Sequence, residues 1–106
     1  MLFELRQYRT HPGQRDKWVQ YMEEKIIPFQ VSKGMVIVGS FVNEEDPDSY
    51  VWIRRFESEA DRERLYKEVY ESDYWKNEVA PEVPTMLDRD KIVVTRLNPT
   101  PKSVVR

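Results

Sequence analysis

The side chains in this sequence best suited to chemistry are a single histidine, a pair of arginines in a predicted strand and a tyrosine that follows a predicted helix. His11 is the only histidine in the chain, and an imidazole can act as a general base because its pKa lies near neutral pH. Its neighbours Pro12 and Gly13 place it in a loop, where exposure to solvent is commoner than catalysis. The sequence therefore favours an exposed His11 and leaves a general-base role open.

Arg54 and Arg55 are adjacent in a predicted strand, so their side chains must point to opposite faces of a sheet. A guanidinium in a cavity could bind a carboxylate or an enolate oxygen with its planar fork of donors. The alternative, which the sequence favours, is an ion pair with a glutamate within a dimer. Arg6 belongs to the same group, because the first and third strands of the predicted fold are neighbours. Arg54 is the second candidate catalytic residue.

Aromatic side chains could line a pocket between sheet and helices that suits a flat apolar ligand with one or two polar groups. Rings at helical spacing usually belong to the core, which is the favoured interpretation for Trp18 and Tyr21. Tyr74 follows the second predicted helix, near the expected pocket mouth, and is the third candidate catalytic residue. The candidate ligand-binding rings are Tyr8, Trp18, Tyr21, Tyr66 and Trp75.

Several kinds of site lack their sequence signatures. One histidine without any cysteine cannot form a zinc site, so no metal is predicted. Asp46, Asp48 and Glu57 have part of a calcium-loop spacing. Val51, however, stands where that loop requires glycine. No glycine-rich phosphate loop, serine-hydrolase motif or zinc-protease motif occurs, and no cofactor is predicted.

The charge balance and the amino terminus exclude other partners. With 17 basic and 19 acidic residues, the chain has no strong field to attract nucleic acid or an anionic membrane. The first ten residues, MLFELRQYRT, lack the apolar run of a signal peptide or a membrane span. The absence of cysteine is compatible with a reducing compartment. We expect a cytoplasmic protein without a nucleic-acid partner or a membrane span.

The elements that position these residues follow from hydrophobic periodicity. Residues 2–9 alternate as a strand and end at the turn signal His-Pro-Gly. From Gln14 onward, apolar residues recur every three or four positions, which predicts an amphipathic helix. Pro28 should kink or weaken that helix, and Gly34 should end it.

The second half of the chain repeats the same order of elements. Residues 35–42 and 50–57 are predicted strands of a hairpin, joined by the turn sequence EEDPDS. Ser58 has the form of a helix cap, so the second helix should begin there. A fourth strand is predicted at residues 91–97, and residues 99–106 form a tail.

The predicted order is strand, helix, strand, strand, helix, strand. It is the ferredoxin-like βαββαβ arrangement of an α+β domain with an antiparallel sheet, here residues 1–98. Both helices cover one face of such a sheet, yet the third strand has Val51 and Ile53 on one side and Tyr50, Trp52 and Phe56 on the other.

A bare apolar sheet face usually marks an interface. We therefore expect a homodimer in which two sheets pack face to face with two-fold symmetry. Aspartate at Trp52 or Ile53 should dissociate this dimer or unfold the chain.

An ordered series of segments resembles a known family. The series is ELRQYRTHPG followed by Trp18, then Gly34 and VGSF, then YVWIRRFESEADRERLYKEVYESDYW. Across most of residues 3–97 it resembles the NIPSNAP family. The resemblance implies a dimeric α+β barrel, in agreement with the strand pattern, and it implies little chemistry because most members have no established activity. Other proteins on this fold include cofactor-independent oxygenases, haem-degrading enzymes, isomerases and lyases, so the fold does not select a reaction.

Two functions remain open from sequence. The first is a small enzyme without tightly bound cofactor that acts on a flat apolar molecule by proton abstraction or oxygen addition. The second is a non-catalytic binding or interaction scaffold whose pocket is filled by its own side chains. A cavity of about 300 Å³ or more would count against the second.

Overall fold

The computed structural model describes residues 1–106 and contains one four-stranded antiparallel sheet. The strands lie in the order β2-β3-β1-β4, which is the order of the ferredoxin-like fold. The predicted α+β class, the predicted hairpin and the pairing of the first and third strands are confirmed. The strands are β1 (Leu2–Arg9), β2 (Val36–Val42), β3 (Ser49–Phe56) and β4 (Val93–Leu97).

Helical segments follow β1 and β3. After β1 they are α1 (Arg15–Tyr21), a π-helical segment (Met22–Ile26) and α2 (Ile27–Ser32). After β3 they are α3 (Glu59–Tyr70), a π-helical segment (Trp75–Val79), α4 (Val83–Met86) and a 3-10 turn (Arg89–Lys91). No helix is both long and apolar enough to cross a membrane.

The first helical run departs from α geometry just before its proline. Pro28 has no backbone N–H, and its ring would clash with the carbonyl four residues earlier in a regular α-helix. The π-helical segment Met22–Ile26 lies directly before it, and Pro28 then occupies the first turn of α2, where proline is tolerated. The predicted disturbance at Pro28 is therefore a widened turn within a continuous helical run.

Gly34 ends α2 in a left-handed conformation, with φ of 106°. The Met35 N–H donates to the Gln30 carbonyl at 3.0 Å, and the Gly34 N–H donates to the Val31 carbonyl at 3.0 Å. These two hydrogen bonds form the Schellman motif, which satisfies carbonyls that the helix end leaves open.

Alanine at Gly34 should lower the free energy of unfolding by about 1–2 kcal/mol, because a Cβ disfavours left-handed backbone. The new Cβ would also lie 3.4 Å from Leu65 Cδ2. Gly13 is the matched control, since it has φ of 76° but nothing within 4 Å of its added Cβ. Urea unfolding should show a loss for Gly34→Ala at least as large as that for Gly13→Ala. A smaller loss would contradict this account.

The hydrophobic core lies between the helices and one face of the sheet. The even-numbered residues of β1 and β3 face the helices, with Tyr8, Trp52 and Phe56 among them. One cluster packs these strands against the first helical run, and a second packs them against α3 through Leu65 and Val69. The amphipathic stripe predicted for the first helix is confirmed at Trp18, Met22 and Ile26.

The opposite face of the sheet is apolar and has no helix on it. Leu5, Val51 and Ile53 lie on it half-buried, and the Arg106 carbonyl accepts a hydrogen bond there from the Arg55 guanidinium. Its exposed apolar residues include Val36, Phe41, Val93 and Leu97. We call this surface the open face.

Trp52 does not lie on the open face. It is only 2% exposed and packs under the helices, so aspartate there would bury a carboxylate in the core, and of the two expected outcomes only unfolding applies. The alternation of β3 separates Trp52 from Ile53, and only Ile53 lies on the open face.

Candidate ligand cavity

A cavity of about 170 Å³ lies between the sheet and the helices. Its aromatic wall consists of Tyr8, Trp18, Trp52, Tyr66, Tyr70 and Trp75. Its aliphatic wall consists of Met22, Ile26, Ala80, Val83, Leu87 and Ile92. The two charged residues of the lining are both cationic, Arg6 and Arg89.

The sheet register brings the floor of the cavity together. Arg6 pairs with Trp52 across β1 and β3, and Tyr8 lies two residues along β1, on the same face. Trp18 meets Tyr8 edge to face, with ring centroids 5.9 Å apart. The cavity is therefore built on rigid elements, with β1 and β3 below and the first helical run above.

Two buried N–H groups of the aromatic wall have no acceptor. The side chains of Trp18 and Trp52 are 1% and 2% exposed, and neither indole Nε1 has a hydrogen-bond partner. A third donor is the Tyr8 hydroxyl, which accepts from Arg6 Nε at 2.7 Å but donates to no protein group. Unpaired buried polar groups carry a desolvation penalty, so these indole N–H groups are unsatisfied within the protein.

Arg6 presents a guanidinium at the cavity that is only partly satisfied. Its Nη1 lies 3.5 Å from the Tyr66 hydroxyl and 3.6 Å from Glu4 Oε1, both long for hydrogen bonds. Its Nη2 has no protein acceptor. The Arg6 side chain is 15% exposed, so most of its charge is removed from water.

A buried ion-pair network lies behind the aromatic wall, centred on Glu4. Its Oε1 accepts from Arg54 Nη2 at 2.7 Å, and its Oε2 accepts from Arg62 Nε at 2.7 Å and from the Tyr66 hydroxyl at 2.6 Å. Burial raises the pKa of Glu4, but Arg54, Tyr66 and Arg62 together outweigh it and lower the pKa to about 2. Glu4 is therefore ionised at neutral pH.

Arg54 is fully buried and uses every N–H of its guanidinium within the protein. Besides Glu4, its acceptors are Gln30 Oε1 at 2.9 Å, the Tyr66 hydroxyl at 2.8 Å and the Tyr70 hydroxyl at 2.7 Å. The counter-charge predicted for the buried arginine is present, and it comes from Glu4 of the same chain. Arg54 fixes the orientation of two rings of the cavity wall, Tyr66 and Tyr70.

Tyr8 and Tyr66 are neutral near pH 7, because burial raises the pKa of both hydroxyls. Burial raises the pKa of Tyr66 to about 12, although Arg54 lowers it in part. Burial likewise raises the pKa of Tyr8, against the opposing effect of Arg6. Both hydroxyls therefore act as hydrogen-bonding groups and not as bases.

The structure brings four of the five candidate ligand-binding rings to the cavity, namely Tyr8, Trp18, Tyr66 and Trp75. Tyr21 lies outside the cavity lining. Its ring packs on Trp18 at 6.2 Å, and its hydroxyl donates to the Glu78 carbonyl at 3.4 Å.

The three candidate catalytic residues lie apart from one another and outside the lining. His11 Nε2 is 2.8 Å from the Pro84 carbonyl. Tyr74 is 37% exposed and stacks near Phe29, with ring centroids 4.6 Å apart. Arg54 lies behind the wall in the Glu4 network.

Four aromatic or charged lining residues were not among the candidate site residues, and three of them could have been found from sequence. Arg6 and Trp52 share the face of Tyr8 once β1 and β3 are paired, and Tyr70 follows Tyr66 by one helical turn. Arg89 lies in an irregular segment after α4, where no periodicity indicates the direction of a side chain. No group of three metal-ligating side chains is present.

The sheet order and the cavity between sheet and helices define an α+β protein of the ferredoxin-like class. The sequence matches the family model described as NIPSNAP over residues 3–101. The chain therefore belongs to the NIPSNAP family. A comparison with curated proteins gives no match.

Solved structures of similar proteins support the same fold. A NIPSNAP family protein of unknown function from Agrobacterium tumefaciens is 23% identical, with a TM-score of 0.88 over 100% of this chain and 94% of that one. An uncharacterised NIPSNAP domain protein from Burkholderia xenovorans is 17% identical, with a TM-score of 0.82 over 97% and 98%. A structure described as an antibiotic biosynthesis monooxygenase is 16% identical, with a TM-score of 0.69 over 95% and 100%. At these identities the likeness shows the fold alone.

Proposed function

We propose that this NIPSNAP protein is a homodimer that binds one small, flat organic molecule in the cavity of each subunit. The observation that carries the proposal is the pair of buried indole N–H groups, from Trp18 and Trp52, that have no acceptor in the protein. Both indoles belong to the cavity wall. Each Nε1 is buried as well as unpaired, so a bound molecule with an oxygen acceptor would satisfy them after a small shift of the lining and would remove the desolvation penalty.

The size of the cavity limits the ligand to about one ring. An apolar protein cavity of about 150 Å³ is large enough to bind benzene, and this one has about 170 Å³. A larger fused-ring molecule would require the lining to move. The ligand class is therefore a single ring or a molecule of similar area, with an oxygen at the edge that meets the donors.

We further propose that the protein converts this molecule without a cofactor, by oxygen addition or isomerisation. Donors fixed around the site of a developing oxyanion stabilise it, and Arg6 with the two indoles would supply them. No carboxylate or imidazole lines the cavity, so steps that need a protein base receive less support than binding does.

The alternative is a non-catalytic scaffold, and the cavity volume favours it. Ligand pockets commonly measure about 300–1,000 Å³, whereas this cavity has about 170 Å³. In that case the rings serve as core, and the dimer through the open face is the functional unit. We further propose a cytoplasmic location, and a domain of residues 1–98 followed by a tail at residues 99–106.

Phenylalanine at Trp18 should weaken binding of a single-ring ligand about three- to tenfold, because it removes one hydrogen-bond donor and keeps an aromatic ring. Titration calorimetry of the full chain with phenol, benzoate and nitrobenzene measures the effect. Tyr21→Phe is the control, since Tyr21 lies outside the cavity lining. Equal affinities of the two variants would refute the assigned site, and no binding of any of the three molecules to the unaltered protein would favour the scaffold.

A further inference from the structure

We infer that the molecule held by the cavity is an organic anion whose carboxylate, phenolate or enolate oxygen is bound by Arg6. This inference rests on the proposed function, because it names the chemical class of the ligand in the same cavity. It assigns Arg6 the role of the binding cation and Arg89 a supporting role at the cavity.

The local balance of charge around Glu4 favours an anionic ligand. The guanidinium groups of Arg6, Arg54 and Arg62 surround the single carboxylate of Glu4. The Glu4 carboxylate forms ion pairs with Arg54 and Arg62 at N···O distances of 2.7 Å, whereas Arg6 lies 3.6 Å away. A charge removed from water requires a partner, so Arg6 is the cation whose counter-charge is missing.

The surface partner of Arg62 places further negative charge away from the cavity. Glu59 lies 3.4 Å from Arg62 and thus adds negative charge on the solvent side of the network. No corresponding carboxylate approaches Arg6 from the cavity, because the lining contains no aspartate or glutamate. The unpaired positive charge therefore faces the cavity and not the solvent.

The unpaired hydrogen-bonding groups of the lining residues are donors. Trp18 Nε1, Trp52 Nε1 and the Tyr8 hydroxyl offer protons that no protein group accepts. The lining has no serine, threonine, asparagine or glutamine side chain to receive a proton from a ligand. A cation or an amine would meet two like charges and no carboxylate or amide acceptor, whereas an anion would pair with Arg6 and supply the acceptors that the lining lacks.

Arg89 adds a second positive charge at the same cavity. It belongs to the lining, is exposed, and forms no hydrogen bond or salt bridge with the protein through its side chain. A cavity with one sign of charge and apolar walls concentrates ions of the opposite sign. Arg89 should therefore strengthen anion binding less than Arg6 does, because its charge is exposed to solvent and to salt.

The test compares benzoate with nitrobenzene, which has the same shape and no net charge, by titration calorimetry of the full chain at neutral pH. Benzoate should bind about tenfold or more tightly, since charge-assisted hydrogen bonds are stronger than neutral ones. Arg6→Met should abolish this preference, and Arg89→Met should reduce it. The control Arg64→Met removes an exposed charge on α3, at a residue 57% exposed in its side chain, and should leave the preference unchanged.

The outcomes separate this inference from the proposed function. Nitrobenzene binding as tightly as benzoate would overturn the anion inference and leave the cavity a binding site. Binding of neither molecule would overturn both. If Arg6→Met fails to fold, two results still test the anion inference: the preference of the unaltered protein for benzoate, and the reduction of that preference in Arg89→Met. Arg89→Met should fold, because Arg89 is exposed and makes no side-chain hydrogen bond.

Discussion

Glutamine at Glu4 should destabilise the protein by about 3–5 kcal/mol at neutral pH, because loss of one partner leaves buried charge uncompensated. Glu4 and Arg54 are both fully buried, and their contact at 2.7 Å is the centre of the network behind the cavity wall. Glutamine keeps the shape of the side chain, removes its charge and replaces one of its two acceptor oxygens with an N–H donor. Urea unfolding at pH 7 measures the loss.

The double variant Glu4→Gln with Arg54→Met is the control for charge. It should be more stable than Glu4→Gln alone, because it removes the unpaired cation together with its partner. Glu68→Gln tests an exposed pair with Arg64 and should cost about 0.5 kcal/mol or less. A cost for Glu4→Gln as small as that for Glu68→Gln would contradict the role of this network.

The same residue should produce a pH dependence of stability. The pKa of Glu4 falls from 4.5 to about 2 in the folded protein. A lowered folded-state pKa gives stability that is present above pH 4.5 and is lost as the pH falls toward 2. The Glu4→Gln variant should lack this part of the acid sensitivity, which unfolding curves between these pH values would show.

Aspartate at Ile53 should convert the proposed homodimer to a monomer. Ile53 is half-buried at the centre of the open face, on β3 between β1 and β2. In a sheet-to-sheet dimer the aspartate would bury one unpaired carboxylate from each subunit in the interface. Sedimentation equilibrium of the two proteins measures the change in mass.

Val94→Asp is the matched control for this substitution. Val94 also lies on a strand and is 41% exposed, but it pairs with Arg6 and therefore faces the helix side of the sheet. It should leave the dimer intact. A monomeric unaltered protein, or an unchanged dimer in Ile53→Asp, would show that the open face is not the interface.

Much of the fold could be predicted from sequence because its local signals agree. The Ser58 hydroxyl accepts from the Asp61 N–H at 3.1 Å, as the cap at the start of the second helix requires. The alternation of β3 separated the two sets of side chains correctly, but it did not show which set lies under the helices. That depends on packing against α1 and α3, which a single strand does not specify.

The site was less predictable than the fold. Ring content indicated a cavity, and the candidate rings Tyr8 and Trp18 line it, although the sequence favoured a core role for Trp18. Glu4 could have been paired with Arg54 only from the register of β1 and β3, where the two are opposite. Tyr74 lies against Phe29 because the chain turns after α3 at residues 71–72, a direction that no periodic pattern specifies.

The central claim is that the cavity binds an oxygen acceptor through its unpaired indoles, and NMR of the indole N–H groups tests it most directly. The chain has 3 tryptophans, so assignment by single Trp→Phe variants is simple. On titration with benzoate, the indole N–H signals of Trp18 and Trp52 should move downfield and saturate together as hydrogen bonds form. Saturating benzoate that leaves both signals in place would contradict the claim.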